Sequence, residues 1–250
     1  MTSPALARKK GNGRVYQHPV TGAEVPSVTT VLNVVSKPAL PYWAAKAAAE
    51  YAARSWKTLS ELSEVERVAL IKGAPWRESE AKADLGTAVH DAVDAWCTDR
   101  YMPEWAPGVA PFMEQFVAFL GAREPKFMHN EATVWSHKYG YAGTLDFIAG
   151  INSRLTICDV KSGRDVYSEA SLQLAALANA DCILRPDGTE EPLPPCELAA
   201  VLHLRPRSWA LIPVNLDGCF DAFLAALELF CWQRDVAPSC LGARLTEVVS

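Results

Sequence analysis

The sequence lacks the features that mark several large classes of protein. Its seven cysteines are odd in number and form no Cys-x-x-Cys pair, which argues against a disulfide framework and a closely spaced zinc or iron–sulfur motif. We therefore expect reduced cysteines in a cytoplasmic protein. The first residues contain no apolar stretch, so we expect no secretory signal, and no apolar run reaches the length of a membrane span.

The chain also has no excess of basic residues. With 24 Lys and Arg against 29 Asp and Glu, its formal charge is -5. A protein that coats nucleic acid by charge alone would be basic. Any binding of nucleic acid must therefore use a local basic patch, or metal ions that offset the acidic residues.

The length of 250 residues, half of them hydrophobic, suits one decorated domain. We expect a flexible basic tail over 1–13, N-terminal strands and helices over 14–77, a catalytic core over 78–180, and C-terminal strands and a helix over 181–250. Helices are followed by three strands, a helix and further strands. This order predicts an α/β fold with a small mixed β-sheet flanked by helices.

Hydrophobic periodicity gives the individual elements. Two short strands are expected around Thr21-Gly22, and a loop from Pro186 to Pro195. Helices are predicted at 39–56, 61–72, 78–97, 109–121, 168–180 and 217–233, and further strands at 130–137, 141–149, 155–161, 197–204 and 208–214.

Two aspartates thirteen residues apart form the most informative pattern. Asp146 and Asp159 each interrupt an apolar, strand-like run, and the segment between them reads as a turn. If that turn is centred between Asn152 and Ser153, the strands pair antiparallel and the two aspartates face each other. Like charges in facing positions destabilise a sheet, and a bound divalent cation would reverse this. Lys161, two residues after Asp159, points to the same face.

An ordered set of motifs extends this pattern. Gly86-Thr87-Ala88-Val89-His90, Gly143-Thr144-Leu145-Asp146, Asp159-Val160-Lys161-Ser162-Gly163 and Gln173 occur in that order. The set resembles the PD-(D/E)XK nuclease superfamily and, within it, the RecB-like exonucleases of the CRISPR-associated and phage recombination types. The resemblance covers about residues 80–180 and implies a restriction-endonuclease-like core.

The resemblance also implies roles for these residues. The implied catalytic residues are Asp146, Asp159, Lys161 and Gln173, and the implied metal ligands are His90, Asp146, Asp159 and the backbone carbonyl of Val160. Lys161 would orient or activate the attacking water, and Gln173 would contact substrate or support the site. Hard oxygen ligands suit Mg²⁺ or Mn²⁺, and a histidine among them tilts the preference toward Mn²⁺.

Residues around this set are candidates for substrate contacts. They are Thr87, Gly163, Arg164, Arg205 and Arg207, and Glu131 is a candidate accessory acid near the metal. Several of the candidates have a structural alternative: Arg164 as an exposed loop arginine, Glu131 as a solvated strand-end residue, Gln173 as a surface helix residue and His90 as an ordinary helix histidine. Asp159 and Lys161 likewise have the alternative of a structural ion pair.

The implied function is a Mg²⁺- or Mn²⁺-dependent DNA exonuclease acting on linear duplex or single-stranded DNA in recombination or repair, encoded by a phage or a bacterium. An endonuclease or junction resolvase on the same core stays open, as does a non-catalytic DNA-binding protein with a vestigial site. A recombination annealing protein is a candidate partner. Oligomeric state stays open.

The sequence departs from the family pattern at two points. The RecB-like glutamine is often followed four residues later by tyrosine, where this chain has Leu177. Many relatives carry an iron–sulfur cluster held by one early cysteine and three near the C-terminus. Here no cysteine precedes Cys97, and Cys231 and Cys240 are not clustered. We therefore expect no iron–sulfur cluster.

Overall fold

The computed structural model describes residues 6–11, 13–99 and 104–242. These residues form a mixed α/β fold. In chain order the elements are β1 (Ala7–Lys10), β2 (Gly13–Gln17), β3 (Glu24–Pro26), α1 (Val28–Val31), α2 (Ala39–Arg54), α3 (Trp56–Ser60), α4 (Glu64–Asp99), α5 (Ala110–Arg123), β4 (Lys126–Ser136), β5 (Tyr141–Ile151), β6 (Arg154–Lys161), α6 (Glu169–Ala178), β7 (Cys182–Leu184), β8 (Glu190–Pro192), β9 (Leu198–Arg205), β10 (Ser208–Val214) and α7 (Cys219–Cys231).

Seven strands form one mixed sheet in the order β10-β9-β6-β5-β4-β7-β8. Its β6–β9 pair is parallel, and its other neighbouring strands are antiparallel. β1, β2 and β3 form a separate antiparallel sheet, which meets the large one through a bridge between Ser27 and Ala142. The prediction of an α/β fold with a mixed sheet flanked by helices is confirmed, and the sheet has more strands than expected.

Helices cover both faces of the seven-stranded sheet. On one face, α1, α6 and α7 pack against side chains such as Leu145 and Ile157. On the other face, α4 and α5 pack against Phe147 and Val160. Both clusters are buried, so the sheet forms the middle layer of the core.

The β5–β6 hairpin turns at the two residues that the sequence predicts. Ile151 pairs with Arg154, and the residues between them, Asn152 and Ser153, have φ of 49° and 64°. Two successive left-handed residues are typical of a two-residue type I′ turn. This turn sets the register of the hairpin, whose ladder runs as far as Phe147 and Cys158, so the two aspartates of the motif take the next positions on their strands.

The regular alternation of side chains breaks where β4 and β5 carry their acidic residues. Leu145 and Phe147 lie two apart but pack on opposite faces of the sheet, whereas residues two apart in a regular strand share a face. β5 therefore turns over at Asp146. On β4, Glu131 has φ 43°, a left-handed conformation that costs free energy in a non-glycine residue. The β4–β5 ladder continues on either side of Glu131, which lies opposite Asp146.

A single helix, α4, occupies the region where the sequence predicts two helices, at 61–72 and 78–97. Pro75 lies inside it. Proline removes a backbone donor and crowds the preceding turn. Here the Arg77 Nη2 donates to the carbonyl of Leu70 at 2.8 Å, which gives that turn another hydrogen bond. The prediction of two separate helices is wrong, because one continuous helix spans both segments and the residues between them.

None of the helices in the described ranges is suited to crossing a membrane. α4 is 36 residues long, but no window in it or in another described helix is apolar enough for a span.

Three segments without a predicted element form strands, namely β1, β7 and β8. Within the expected flexible tail over 1–13, residues 7–10 form β1 and pair with β2, which corrects that expectation for this stretch. Residues 1–5 and 12 lie outside the described residues. β8 lies inside the predicted loop from Pro186 to Pro195, at the edge of the sheet, where a proline that lacks a donor is tolerated.

Candidate active site

A cleft of about 320 Å³ opens where β4 and β5 carry Glu131 and Asp146. It lies between α4, α6 and the N-terminal strands. Five of the residues that the sequence marks line it: Thr87, His90, Glu131, Asp146 and Gln173. They come from two helices and two strands, so the fold brings together positions that are far apart in the chain.

Three of these side chains offer ligand atoms close enough to share one cation. His90 Nδ1 lies 3.2 Å from Asp146 Oδ1, and ligand atoms of His90, Glu131 and Asp146 all lie within 4.8 Å of one another. From the sequence, Glu131 is expected only as an accessory acid. In the structure it belongs to the same compact group as the other two.

Asp146 also connects α4 to β6. Its Oδ2 accepts a 2.5 Å hydrogen bond from the backbone N–H of Val160. Burial raises the pKa of Asp146, but the charge and the hydrogen bond of His90 outweigh burial and hold the pKa below its usual value. Burial lowers the pKa of His90, and the charge of Asp146 overcomes this and raises that pKa to about 9. At neutral pH and without a cation the two form a charged pair.

The second part of the site is the group of Asp159, Lys161 and Gln173. Lys161 Nζ donates to Asp159 Oδ1 at 2.9 Å and lies 2.8 Å from its Oδ2. Gln173 Nε2 donates to Asp159 Oδ1 at 2.8 Å, and its Oε1 accepts from Lys161 Nζ at 3.4 Å. The Asp159 side chain is 2% exposed and that of Lys161 is 34% exposed. The carboxylate is therefore held inside, while the ammonium reaches solvent.

The buried carboxylates of this site carry more negative charge than the protein neutralises. Asp159 Oδ2 is buried and makes no hydrogen bond, although the ammonium of Lys161 is near. Burial raises the pKa of Asp159 to about 6, with Lys161 opposing and Asp146 adding to the shift. Burial and the charge of Asp146 raise the pKa of Glu131 to about 8. A bound cation would offset this excess.

Hydrogen bonds between α4 and β4 set the position of His90. Asn130 Nδ2 donates to Asp94 Oδ1 at 2.6 Å and to Thr98 Oγ1 at 2.9 Å. Asp94 follows His90 by about one helical turn, so this clamp holds the His90 face of α4 against the sheet. Thr87, expected to contact substrate, lines the cleft but donates its hydroxyl to a carbonyl one turn earlier in α4.

One wall of the cleft comes from residues that the sequence analysis missed. Tyr16 on β2 is 1% exposed, and its hydroxyl lies 2.8 Å from Thr144 Oγ1. Arg14, two residues earlier, also lines the cleft. Thr144 belongs to the motif that ends at Asp146, so the sequence does indicate that it lies near the site. Nothing in the sequence connects it to Tyr16, which lies 128 residues away.

The loop after β6 carries Gly163 and Arg164. The carbonyl of Gly163 accepts a 2.9 Å hydrogen bond from His203 Nε2. Arg164 is exposed, and its Nε lies 3.7 Å from Asp165 Oδ2. Neither residue is part of the cleft wall, so their substrate contacts stay predictions.

Arg205 and Arg207 are exposed at the turn between β9 and β10. β9 runs parallel to β6 as far as Lys161, so this turn lies beyond the end of the sheet that carries the lysine. Trp209, which follows the turn, packs against Phe119 with ring centroids 5.4 Å apart. The tryptophan is thus part of the core packing, and the two arginines are free to face solvent.

The donor set fits a hard divalent cation. Its compact part contains the carboxylates of Glu131 and Asp146 and the imidazole of His90. Asp159, expected as a ligand, lies outside that group and outside the cleft wall, where it is bonded to Lys161 and Gln173. The Val160 carbonyl is a further oxygen, because the N–H and C=O of a strand residue face the same neighbour and this N–H points at Asp146. Oxygen-rich sites with one imidazole suit Mg²⁺ and Mn²⁺.

No protein-family model matches the chain, and no curated protein sequence matches it. The function is therefore inferred from the chemistry of the cleft.

Proposed function

We propose that the protein is a Mg²⁺- or Mn²⁺-dependent deoxyribonuclease with a restriction-endonuclease-like core, which acts as an exonuclease on linear DNA in recombination or repair. The observation that carries this proposal is the contact between two groups. His90, Glu131 and Asp146 lie within 4.8 Å of one another, and Asp146 bonds the backbone next to the Asp159–Lys161 pair.

The position of the lysine supports hydrolysis of a phosphodiester. In this reaction a water oxygen forms a bond to phosphorus, the bond from phosphorus to the 3′ oxygen breaks, and the leaving oxygen takes up a proton. Asp159 Oδ1 and Gln173 Oε1 accept hydrogen bonds from the Lys161 ammonium, which is thereby held beside the metal ligands while the side chain stays 34% exposed. There it orients the water and stabilises negative charge that develops on the phosphoryl oxygens.

Asp146, Glu131 and His90 would hold the metal ion, with Asp159 and the Val160 carbonyl beside it. When bound, the ion supplies Lewis-acid polarisation of the phosphate and lowers the pKa of a bound water. His90 must lose its proton to become a ligand. Asp146 then keeps its second oxygen on the Val160 N–H, which maintains the orientation of the carboxylate.

An apolar groove beside the cleft supports a polymeric substrate. It has a volume of about 740 Å³ and lies along α4 and α6, the two helices that also border the cleft. Trp43 and Lys82 line it, with the Lys82 ammonium 5.6 Å from the ring centre. An aromatic ring and a lysine together suit the bases and phosphates of a DNA strand. A recombination annealing protein is the proposed partner, and the bacterial cytoplasm the proposed compartment.

The test is degradation of end-labelled linear duplex and single-stranded DNA beside covalently closed plasmid, with Mg²⁺, Mn²⁺ or EDTA. Wild type is compared with Lys161→Ala and with Lys126→Ala, an exposed lysine at the start of β4. We expect metal-dependent loss of linear DNA only, slowed at least about 100-fold by Lys161→Ala and unaffected by Lys126→Ala.

Other results would redirect the proposal. Nicked or linearised circles would assign an endonuclease or junction resolvase to the same site. DNA binding without cleavage of any substrate would assign a non-catalytic protein and contradict the nuclease proposal.

A further inference from the structure

A second group of ligating side chains lies just beyond the end of β4. His137 follows the last residue of β4, Cys182 begins β7 and Glu190 begins β8. His18, from the segment after β2, completes the group, and the ligand atoms of the two histidines and Glu190 lie within 4.8 Å of one another. Four segments of the chain therefore converge on one corner of the sheet.

Three of these side chains have the spacing of ligands around one small ion. His137 Nε2 lies 3.1 Å from Glu190 Oε2, and Cys182 Sγ lies 3.6 Å from the same oxygen and 4.0 Å from His137 Nε2. Tetrahedral zinc, with bonds of about 2.0 Å to N and O and about 2.3 Å to S, separates its ligand atoms by about 3.3–3.6 Å. The distances between these three atoms are thus close to those between the ligand atoms of a zinc ion.

His18 has a different place in the group. Its Nδ1 accepts hydrogen bonds from the backbone N–H groups of Val20 and Thr21, at 3.2 and 3.3 Å. A neutral ring with an accepting Nδ1 carries its proton on Nε2, and that Nε2 lies 3.0 Å from Glu190 Oε1. His18, with a side chain 5% exposed, is therefore a buried donor that orients the carboxylate.

The side chains of this group differ in their exposure to solvent. Cys182 is buried, at 6%, whereas the His137 side chain is 49% exposed and that of Glu190 is 38% exposed. The buried thiol and the buried His18 form the inner side of the site. The outer side is open, so water can occupy a fourth ligand position.

We propose that His137 Nε2, Cys182 Sγ and Glu190 Oε2 bind Zn²⁺, with His18 positioning Glu190. Nitrogen and thiolate ligands favour zinc over Mg²⁺. On binding, the Cys182 thiol loses its proton to solvent and the sulfur forms its bond to the metal. The ion would link the end of β4 to β7 and the edge strand β8, and His18 would connect the segment after β2 to the site through Glu190. This site is separate from the cleft and does not depend on the proposed nuclease function.

The test begins with metal analysis of the full-length protein, dialysed after equilibration with Zn²⁺. We expect one equivalent of zinc in wild type. Cys182→Ser, His137→Ala and Glu190→Gln should lose it, and His18→Asn should weaken zinc binding by roughly 10- to 100-fold. Cys196→Ser, a half-buried cysteine elsewhere in the fold, and Asp146→Asn in the cleft should both retain it.

A Co²⁺ titration reads the same site by spectroscopy. Cobalt bound to Cys182 should show a thiolate-to-metal charge-transfer band, absent in Cys182→Ser and present in Cys196→Ser. Glu190→Gln changes only the charge of a partly exposed residue, so its zinc content stays informative if a cysteine variant fails to fold. Wild type that retains no zinc and shows no such band would overturn the proposal and leave a hydrogen-bonded His–Glu–His network. Zinc retained by both Cys182→Ser and Glu190→Gln would also overturn it.

Discussion

β4 connects two groups of ligating side chains that differ in the atoms they present. Within the strand, Glu131 joins Asp146 and His90 in a group dominated by carboxylate oxygen. Just beyond its end, His137 joins Cys182 and Glu190 in a group with nitrogen, sulfur and oxygen. Oxygen donors suit hard cations, and thiolate with imidazole suits zinc. One strand of the sheet thus connects two groups of side chains whose donor atoms favour different metals.

The surroundings of the two groups differ as well. The cleft stands in the sheet, where the strand alternation breaks and the Asp159 side chain is only 2% exposed. The second group stands at the sheet edge, where half of the His137 side chain is exposed. Burial makes unbalanced charge costly. Unbalanced charge therefore lowers stability more in the cleft than in the second group.

One variant in each group tests whether the two groups act independently, and these variants have the largest expected effect. Asp146→Asn removes a carboxylate charge from the cleft, so cleavage should fall by about 10²- to 10³-fold while bound zinc is unchanged. Cys182→Ser should lose zinc and keep cleavage. Rates on labelled DNA and metal content of the same preparations measure both. Loss of both properties in either variant would contradict two independent sites.

Close packing behind the cleft gives the next largest effect. A Cβ on Gly143 would lie 2.6 Å from Leu177 Cδ2, so Gly143→Ala should lower the free energy of unfolding by about 2 kcal/mol. Adding Leu177→Ala removes that contact but leaves the one of 3.1 Å with Val28 Cγ2, so it should relieve the clash only in part. As a control, Gly121→Ala in α5, where a Cβ meets nothing within 4 Å, should stabilise by about 0.5–1 kcal/mol. Urea unfolding of the variants measures these differences, and equal effects at both glycines would be the contrary result.

Excess negative charge in the cleft should appear as a pH dependence of stability in EDTA. The pKa of Glu131 is raised from 4.5 to about 8 in the folded protein. The folded chain therefore keeps a proton that the unfolded chain loses, and stability falls as pH rises between these values. Glu131→Gln removes the effect, so the variant should be more stable than wild type by roughly 2 kcal/mol at pH 8 and about equal near pH 4.

Thermal melting across this pH range tests the prediction, with Glu228→Gln on the exposed side of α7 as the control. A wild-type disadvantage that is the same at all pH values would show that Glu131 is not held protonated. Mn²⁺ should reduce the advantage of Glu131→Gln, because the ion stabilises the ionised wild-type carboxylate.

The hairpin turn gives the smallest expected effect. Ser153 has φ of 64°, which glycine adopts without the side-chain penalty, so Ser153→Gly should stabilise by about 0.5 kcal/mol after the added entropy of the unfolded chain. Ser168, an exposed residue with φ of -60°, is the matched control, and Ser168→Gly should destabilise. Urea midpoints of the two variants moving in the same direction would argue against the type I′ turn.

Local sequence rules were enough to predict one half of the cleft. A two-residue turn and the two-residue period of a strand determine that Asp146 falls opposite Asp159 and that Lys161 shares its face. The contact of Lys161 with Asp159 follows from that spacing. These relations depend on neighbours within one hairpin, which sequence periodicity describes well.

The remaining parts depend on long-range pairing, which one sequence does not reveal. Glu131 joins the cleft because β4 pairs with β5 and its own backbone is left-handed. Tyr16 reaches Thr144 across 128 residues, and His18 reaches Glu190 across 172. α4 continues through Pro75, where the sequence predicts two separate helices.

Binding of Mn²⁺, followed by electron paramagnetic resonance, tests most directly whether the cleft is a hard-cation site. Wild type and Cys182→Ser should bind Mn²⁺ equally, and Asp146→Asn should lose the tightest binding. Mn²⁺ binding that is unchanged in Asp146→Asn, or absent from wild type, would contradict the assignment of the cleft as the metal centre.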